Sequence, residues 1–162
     1  TDLSDYYIAG VKAAGLQIQV KYAEKLGIKD MKQYVNAGVL LMNLEKMRKE
    51  NVEERFANFV PEIEKRNLGC ADQDIINHVC YNKIKILPFK YNTMTKYPVL
   101  DNEAFKKRAQ VNRCYSLAEW DEGRKDPIII HYADKVKPWN NPQGAFADEW
   151  WSIARKTQFY KN

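Results

Sequence analysis

The sequence has no run of about 18 uncharged apolar residues, so nothing in it reads as a membrane span, and Thr1 is followed at once by Asp2 and Asp5, unlike a secretory leader. It contains only three cysteines, Cys70, Cys80 and Cys114. Their odd number, uneven spacing and lack of a CxxC pair argue against a disulfide scaffold, a zinc knuckle or a redox dithiol, and they fit a reducing compartment, the cytoplasm. No repeat, linker or low-complexity segment interrupts the chain. What is present is 162 residues with 45% hydrophobic content, enough for one domain with a real core and unlike a coiled-coil rod or a disordered chain. Lys and Arg number 26 against 21 Asp and Glu, a net charge of +5. Because the two signs are interleaved nearly everywhere and no nucleic-acid motif appears, the excess does not point to a nucleic-acid partner.

Apolar patterning gives an α/β reading. Tyr6 to Val11 has the β-branched and aromatic bias of a short strand, while Lys12 to Gln33 reads as a helix or a long excursion. Tyr34 to Met42 is the most apolar stretch, continuous rather than alternating, which predicts a strand covered on both faces. Asn43 is placed to cap a turn starting at Leu44. Asn51 with Glu54 forms a capping-box pattern, opening a helix whose stripe is Val52, Phe56, Phe59 and Ile63. Pro61 is expected to kink or end that helix. After a turn at Asn67 to Gly69, Asp72 is placed to cap a helix carrying Ile75, Ile76, Val79 and Cys80. Lys83 to Phe89 alternates as a strand. Beyond it, Tyr91 to Asp126 is loosely patterned, with a short helix over Phe105 to Gln110 and a second opened by a Ser116/Glu119 capping box and stopped at Gly123. Pro127 to Tyr132 predicts another buried strand, ending at His131. The tail from Phe146 to Lys156 sets Ala147, Trp150, Trp151 and Ala154 on one helical face. Alternating strands and helices make a layered α/β fold, with a mixed sheet as well as a parallel one allowed.

Three segments, in this order, carry a resemblance: Tyr34-Val35-Asn36-Ala37-Gly38-Val39-Leu40-Leu41-Met42-Asn43-Leu44, then Ala71-Asp72-Gln73-Asp74-Ile75-Ile76-Asn77, then His131-Tyr132 with Lys137-Pro138-Trp139. Together they resemble family 8 of the nucleotide-sugar glycosyltransferases, the retaining galactosyl- and glucosyltransferases that include bacterial lipopolysaccharide enzymes and glycogenin. The resemblance covers nearly the whole chain. Asp2-Leu3 and Tyr6 to Val11 look like the family's middle, just downstream of its metal-binding Asp-x-Asp. It implies a GT-A type nucleotide-diphospho-sugar transferase domain in truncated form, one partial domain over residues 1–162 with a helical tail at 140–162. It also implies that the first nucleotide-binding strands and the Asp-x-Asp would precede Thr1.

Asp72-Gln73-Asp74 imitates that motif without its context, since Asp72 opens an amphipathic helix after a polar turn rather than following a hydrophobic strand. The residues alone allow His131 to be a hydrogen-bonded histidine at a strand end or one ligand of an oxygen-rich Mn²⁺ or Mg²⁺ site. The resemblance makes it the third protein ligand of the metal that bridges the donor diphosphate. Lys137, before the rigid Pro138-Trp139, is either a surface lysine or a cation for the developing charge of a departing diphosphate, and the resemblance favours the second. Many members have a glycine three residues after the histidine, where this chain has Asp134, a carboxylate that would repel the diphosphate unless turned away or paired with Lys135. Asn36-Ala37-Gly38 is either close strand packing or, by family likeness, a hydrogen bond to the donor sugar from Asn36 with Ala37 and Gly38 lining its pocket. Asp72 and Gln73 match residues beside the sugar's hydroxyls and anomeric face. No carboxylate clearly matches a nucleophile for double displacement and the Gln73 amide is a weak one; the family likeness favours front-face attack, with the departing phosphate oxygen helping to deprotonate the acceptor, and covalent participation by Gln73 or Asp74 stays open. His78, four residues after Asp74, is at a spacing where a helical Asp and His can pair, but no nucleophilic Ser or Cys accompanies them, and structural or surface duty is favoured. Lys90-Tyr91-Asn92 is expected on the acceptor rim.

The implied function is metal-dependent, retaining transfer of galactose or glucose from a UDP-sugar donor to an oligosaccharide or lipid-linked glycan acceptor. The chain itself is expected to be an incomplete portion with little activity alone. The alternative is a non-catalytic carbohydrate- or partner-binding module on the same fold. An exposed sheet edge would favour a homodimer. The Trp150-Trp151 helix with Arg155, Lys156 and Lys161 allows peripheral docking at the inner membrane face, although burial of the aromatic face explains the pattern equally well.

Overall fold

A computed structural model describes residues 1–13, 20–95, 114–133 and 135–160. The expected helix at 105–110 and the residue Asp134 lie outside these ranges. The sheet is built around β1 (Ile8–Lys12), which runs antiparallel to β2 (Val35–Met42) and parallel to β3 (Ile84–Ile86), giving the order β2-β1-β3. The mixed sheet allowed by the sequence is therefore the one formed. A short parallel pair, β4 (Thr93–Met94) with β5 (Ile130–His131), forms a second sheet in which Met94 stands opposite His131.

Helix α1 (Val20–Leu26) precedes a 3₁₀ turn at Met31–Gln33 capped by the Asp30 side chain. The region that sequence left as helix or excursion thus contains both. Helices α2 (Leu44–Lys49), α3 (Val52–Phe59), α4 (Glu62–Lys65) and α5 (Ala71–Val79) lie between β2 and β3. Asn43 caps α2 through Lys46 N, and Pro61 separates α3 from α4, as their chemistry requires. A second 3₁₀ turn, Phe89–Asn92, leads into β4, followed by α6 (Leu117–Lys125) and α7 (Ala147–Ala154). The Ser116/Glu119 capping box is formed in full at the start of α6. Among the described residues no helix is long and apolar enough to cross a membrane.

Several local expectations are corrected. Asn51 adopts a left-handed backbone, φ 49°, and makes no side-chain cap, so its value is tolerance of positive φ in the tight α2–α3 link rather than an acceptor for Glu54. Asp72 does not cap α5. The N-cap is Cys70, and Asp74, one turn in, reaches back to accept from Cys70 N at 2.8 Å. Gly123 does not stop α6, which continues to Lys125. It is there because a Cβ would lie 2.6 Å from Phe89 Cδ1 and 2.9 Å from Lys90 N, so the helix rests directly on the 3₁₀ turn. Neither apolar run is covered on both faces. Leu41 and Met42, at the end of β2, are 46% and 40% exposed, and Ile128 is 56% exposed because β5 takes up only the end of its run.

Strand β1 stands between two cores. Tyr7 and Ile8 pack among Leu26, Tyr34, Val35, Val52, Phe59, Val79 and Ile84. Val11 packs with Phe89, Met94, Cys114, Tyr115 and Trp120, where Phe89 stacks on Trp120 with ring centroids 5.0 Å apart. Asn77 ties α5 to the start of β2 as a strand neighbour would. Its Oδ1 accepts from Val35 N at 2.7 Å, and its Nδ2 donates to Val35 O at 2.8 Å. This clasp fixes the start of β2 against the second turn of α5, one turn after Gln73, whose carbonyl Asn77 Nδ2 also reaches at 2.8 Å.

Candidate functional site

Four segments distant in sequence meet through side-chain amides. Gln73, on the first turn of α5, accepts through Oε1 from Asn36 Nδ2 at 3.0 Å and from Ala37 N at 3.2 Å. Asn36 Oδ1 accepts from Gly38 N at 3.0 Å and from Asn92 Nδ2 at 2.9 Å. Asn92 Oδ1 lies 2.9 Å from Nδ1 of His131. The imidazole then crosses the face of Gly38 so closely that a Cβ there would be 2.2 Å from Cε1 and 2.9 Å from Nε2. Small residues at the start of β2 therefore make room for the histidine at the end of β5.

At the other end, Gln73 Nε2 donates to the Tyr34 hydroxyl at 3.0 Å, and Tyr34 donates to Asp74 Oδ1 at 2.7 Å. Tyr22 donates to Asp74 Oδ2 at 2.6 Å. Burial and the adjacent Asp74 push both tyrosines well above the usual phenol range, so they remain donors. Asp74 is fully buried and its oxygens are taken by these two hydroxyls and Cys70 N. Asp72 is exposed on the same turn.

His131 is half-buried, and burial first, then the positive charge of Lys137, hold its pKa below the ordinary histidine value. It therefore favours the neutral imidazole. Lys137 donates from Nζ to the carbonyl of Tyr132, the residue after His131. Two hydrogen bonds hold its turn: Lys137 N donates to Asn140 Oδ1 at 2.8 Å, and Trp151 Nε1 of α7 donates to Pro138 O at 3.1 Å. Trp139 is exposed beside it, in tilted contact with Trp150.

The structure thus brings together Asn36, Ala37, Gly38, Gln73, His131 and Lys137, and places Asp72 one residue from Gln73. Asn92 was expected on an acceptor rim with Lys90 and Tyr91. It is instead fully buried and bridges Asn36 to His131, while Lys90 pairs with Glu122 at 2.7 Å. Tyr34, the other participant missed, looked like one more apolar residue of its run. His78 does not pair with Asp74. It stacks on Phe59 at 3.7 Å, and its Nδ1 meets Leu26 O at 2.6 Å. Cys80 and Cys114 are buried, which pushes each thiol up to about 11 and leaves them inert.

As a metal ligand, His131 has the right chemistry at Nε2, since Nδ1 already has an oxygen partner. Among the described residues no group of three His, Cys, Asp or Glu side chains could complete a coordination shell. Among the described residues His131 is the one side chain of this site with an imidazole ligand to offer.

The sequence profile described as Glycosyl transferase family 8 matches residues 1–143. The chain belongs to this family. It is 28% identical over 160 residues to general stress protein A of Bacillus subtilis, covering 98% of this chain and 52% of that protein. It is 31% identical over 126 residues to a lipopolysaccharide 1,2-glucosyltransferase of Escherichia coli, covering 76% and 34%. The chain therefore spans about half the length, or less, of these relatives. Among solved structures, the WbbM bifunctional glycosyltransferase superposes with a TM-score of 0.79 at 22% identity, covering 98% of this chain and 30% of that one. The galactosyltransferase LgtC, in complex with donor and acceptor sugar analogues, gives 0.70 at 22%, covering 100% and 56%. These likenesses show the fold: a GT-A-like mixed sheet with flanking helices, as the family 8 resemblance implied.

Proposed function

We propose that this chain supplies the donor-sugar and diphosphate-facing part of a retaining, metal-dependent hexosyltransferase, with a UDP-bound galactose or glucose as donor and a glycan or lipid-linked oligosaccharide as acceptor. The observation that carries this is the bonded network joining His131, Asn92, Asn36 and Gln73 beside Lys137. Asn36 and Gln73 each use one amide N–H inside it. An amide nitrogen has two, so among the described residues each keeps one donor for a sugar oxygen.

His131 Nε2 would hold the Mn²⁺ or Mg²⁺ together with ligands from outside the described residues, and the ion would neutralise charge on the diphosphate. Lys137 adds a cation at the same end, where negative charge develops as the C1–O bond to phosphate breaks. The new C1–O bond to the acceptor forms on that same face, and the acceptor's proton passes to the departing phosphate oxygen. Front-face attack is favoured over a covalent intermediate because Asp74 is buried under three donors and Gln73 Oε1 accepts two, which leaves neither oxygen free to attack. By itself the chain is expected to turn over little or no UDP-sugar.

Calorimetry of UDP with and without Mn²⁺ tests the reading on the 162-residue chain and its variants. Binding should strengthen with Mn²⁺ and weaken about tenfold or more in His131→Ala and in Lys137→Ala, the loss of one charge-assisted contact apiece. Glycan binding that needs neither nucleotide nor metal and ignores both substitutions would favour the non-catalytic module instead.

A further inference from the structure

We infer that Asn92 is a positioning residue that fixes the tautomer of His131, and that its own orientation is dictated by the backbone N–H groups of Ala37 and Gly38. Each link follows from which atoms can only donate. A backbone N–H has no acceptor role, so the atom of Gln73 that receives Ala37 N must be the amide oxygen, and the atom of Asn36 that receives Gly38 N must be its oxygen. Asn36 Oδ1 then needs a donor from Asn92, which turns the Asn92 nitrogen towards it at 2.9 Å. The Asn92 oxygen is left facing His131 Nδ1 at 2.9 Å. Two acceptors cannot share that contact, so Nδ1 carries the proton.

The result is a one-way series of hydrogen bonds. His131 donates to Asn92, Asn92 to Asn36, Asn36 to Gln73, Gln73 to Tyr34 and Tyr34 to Asp74. Reversing any amide would set donor against donor or acceptor against acceptor at two places at once. Asn92 is fully buried, so no water is available to repair such a mismatch. The consequence lies at the far side of the ring, where Nε2 keeps its lone pair beside Gly38. In water the imidazole side chain prefers the opposite form, with the proton on Nε2, which could not bind a cation there. This inference deepens the proposed function by assigning the residue that presents His131 to the diphosphate site, but its test does not require nucleotide or metal.

The test is long-range ¹⁵N–¹H correlation NMR of the histidine rings in the ¹⁵N-labelled chain at about pH 8, without metal. The Nδ1–H form of His131 should exceed the other by about tenfold or more, and Asn92→Ala should bring the two forms within about twofold. Asn92→Asp keeps an oxygen towards Nδ1 and should restore the proton on Nδ1, although it removes the donor to Asn36 Oδ1. A wild-type His131 protonated on Nε2 overturns the inference, and so does an Asn92→Ala chain that retains a pure Nδ1–H ring. Even if no Asn92 variant folds, a wild-type spectrum with the proton on Nε2 still overturns the inference. Loss of Mn²⁺-dependent UDP binding with the tautomer intact would remove the transferase reading while leaving this one standing. Intact UDP binding with the wrong tautomer would do the reverse.

Discussion

The ring of His131 occupies the space where residue 38 would carry a side chain: a Cβ on Gly38 would lie 2.2 Å from His131 Cε1. No backbone adjustment of a few tenths of an ångström relieves that contact, so Gly38→Ala must drive the imidazole out. The expected outcome is loss of Mn²⁺-dependent UDP binding comparable to His131→Ala, with unfolding free energy lowered by only about 1–2 kcal/mol because Gly38 is exposed. Calorimetry and urea unfolding on one preparation check both halves. Unchanged nucleotide binding in the alanine variant would show that His131 is not part of the site.

Gly123 makes the opposite kind of close approach, for packing alone. Its missing Cβ lets α6 settle on Phe89 and the Lys90 backbone, and its carbonyl accepts from the buried Thr93 hydroxyl at 2.8 Å. Gly123→Ala gains helix propensity of about 1 kcal/mol but has to separate these elements, costing about 1–3 kcal/mol and more where backbone rather than a flexible tip is struck. Net destabilisation is expected, measured as a lower urea midpoint at unchanged slope. A more stable variant would mean that α6 and the 3₁₀ turn are not in contact.

Sequence patterning was sound wherever a rule depends on local chemistry. The Ser116/Glu119 box, the Asn43 cap and the break at Pro61 each formed because one side chain or one missing N–H decides the matter within a turn. Patterning failed where the answer depends on partners far along the chain. A continuous apolar run does not show how far along it the neighbouring layers reach, so the exposure of Leu41 and Met42 at the end of β2 was invisible. Asn51 and Asn43 look alike in sequence, yet one supplies an acceptor and the other a positive φ. In the site, the family motifs led to Asn36, Gln73, His131 and Lys137. The family likeness put Asn92 on an acceptor rim with Lys90 and Tyr91, and only the fold reveals that it is buried between Asn36 and His131.

The outer edge of β2 carries a prediction of its own. Among the described residues β2 pairs only with β1, and Leu41 and Met42 near its end are exposed apolar side chains, one on each side of the strand. Such an edge invites a second copy. Sedimentation of the 162-residue chain should therefore show concentration-dependent dimers, and Leu41→Lys with Met42→Lys should shift the population to monomer without changing the circular dichroism. A single monomeric species at high concentration in the unaltered chain would rule out pairing at this edge.

Both histidines link folding to pH, with the same sign. Burial, the first cause, holds His78 below the ordinary histidine value. The Leu26 carbonyl opposes this by favouring the ring's charged form, and the charges of Arg66 and Arg55 lower it further. His131 is lowered by burial and Lys137. Each group therefore has a folded pKa beneath its unfolded value of about 6.5, so below that pH the unfolded chain binds more protons than the folded one. Stability should be flat from about pH 8 to 7 and fall as pH drops through about 6.5 towards the folded pKa values. This window lies above the one in which carboxylates with lowered values, such as Asp121 beside Arg124 and Lys125, begin to lose their pairs. Urea unfolding at intervals from pH 8 to 5 measures the slope. His78→Phe, which keeps an aromatic face against Phe59, should remove part of it. Lys137→Ala should shrink His131's share by letting that pKa rise. A stability that climbed as pH fell through 6.5, or a slope identical in all three chains, would mean that neither imidazole is held neutral by the fold.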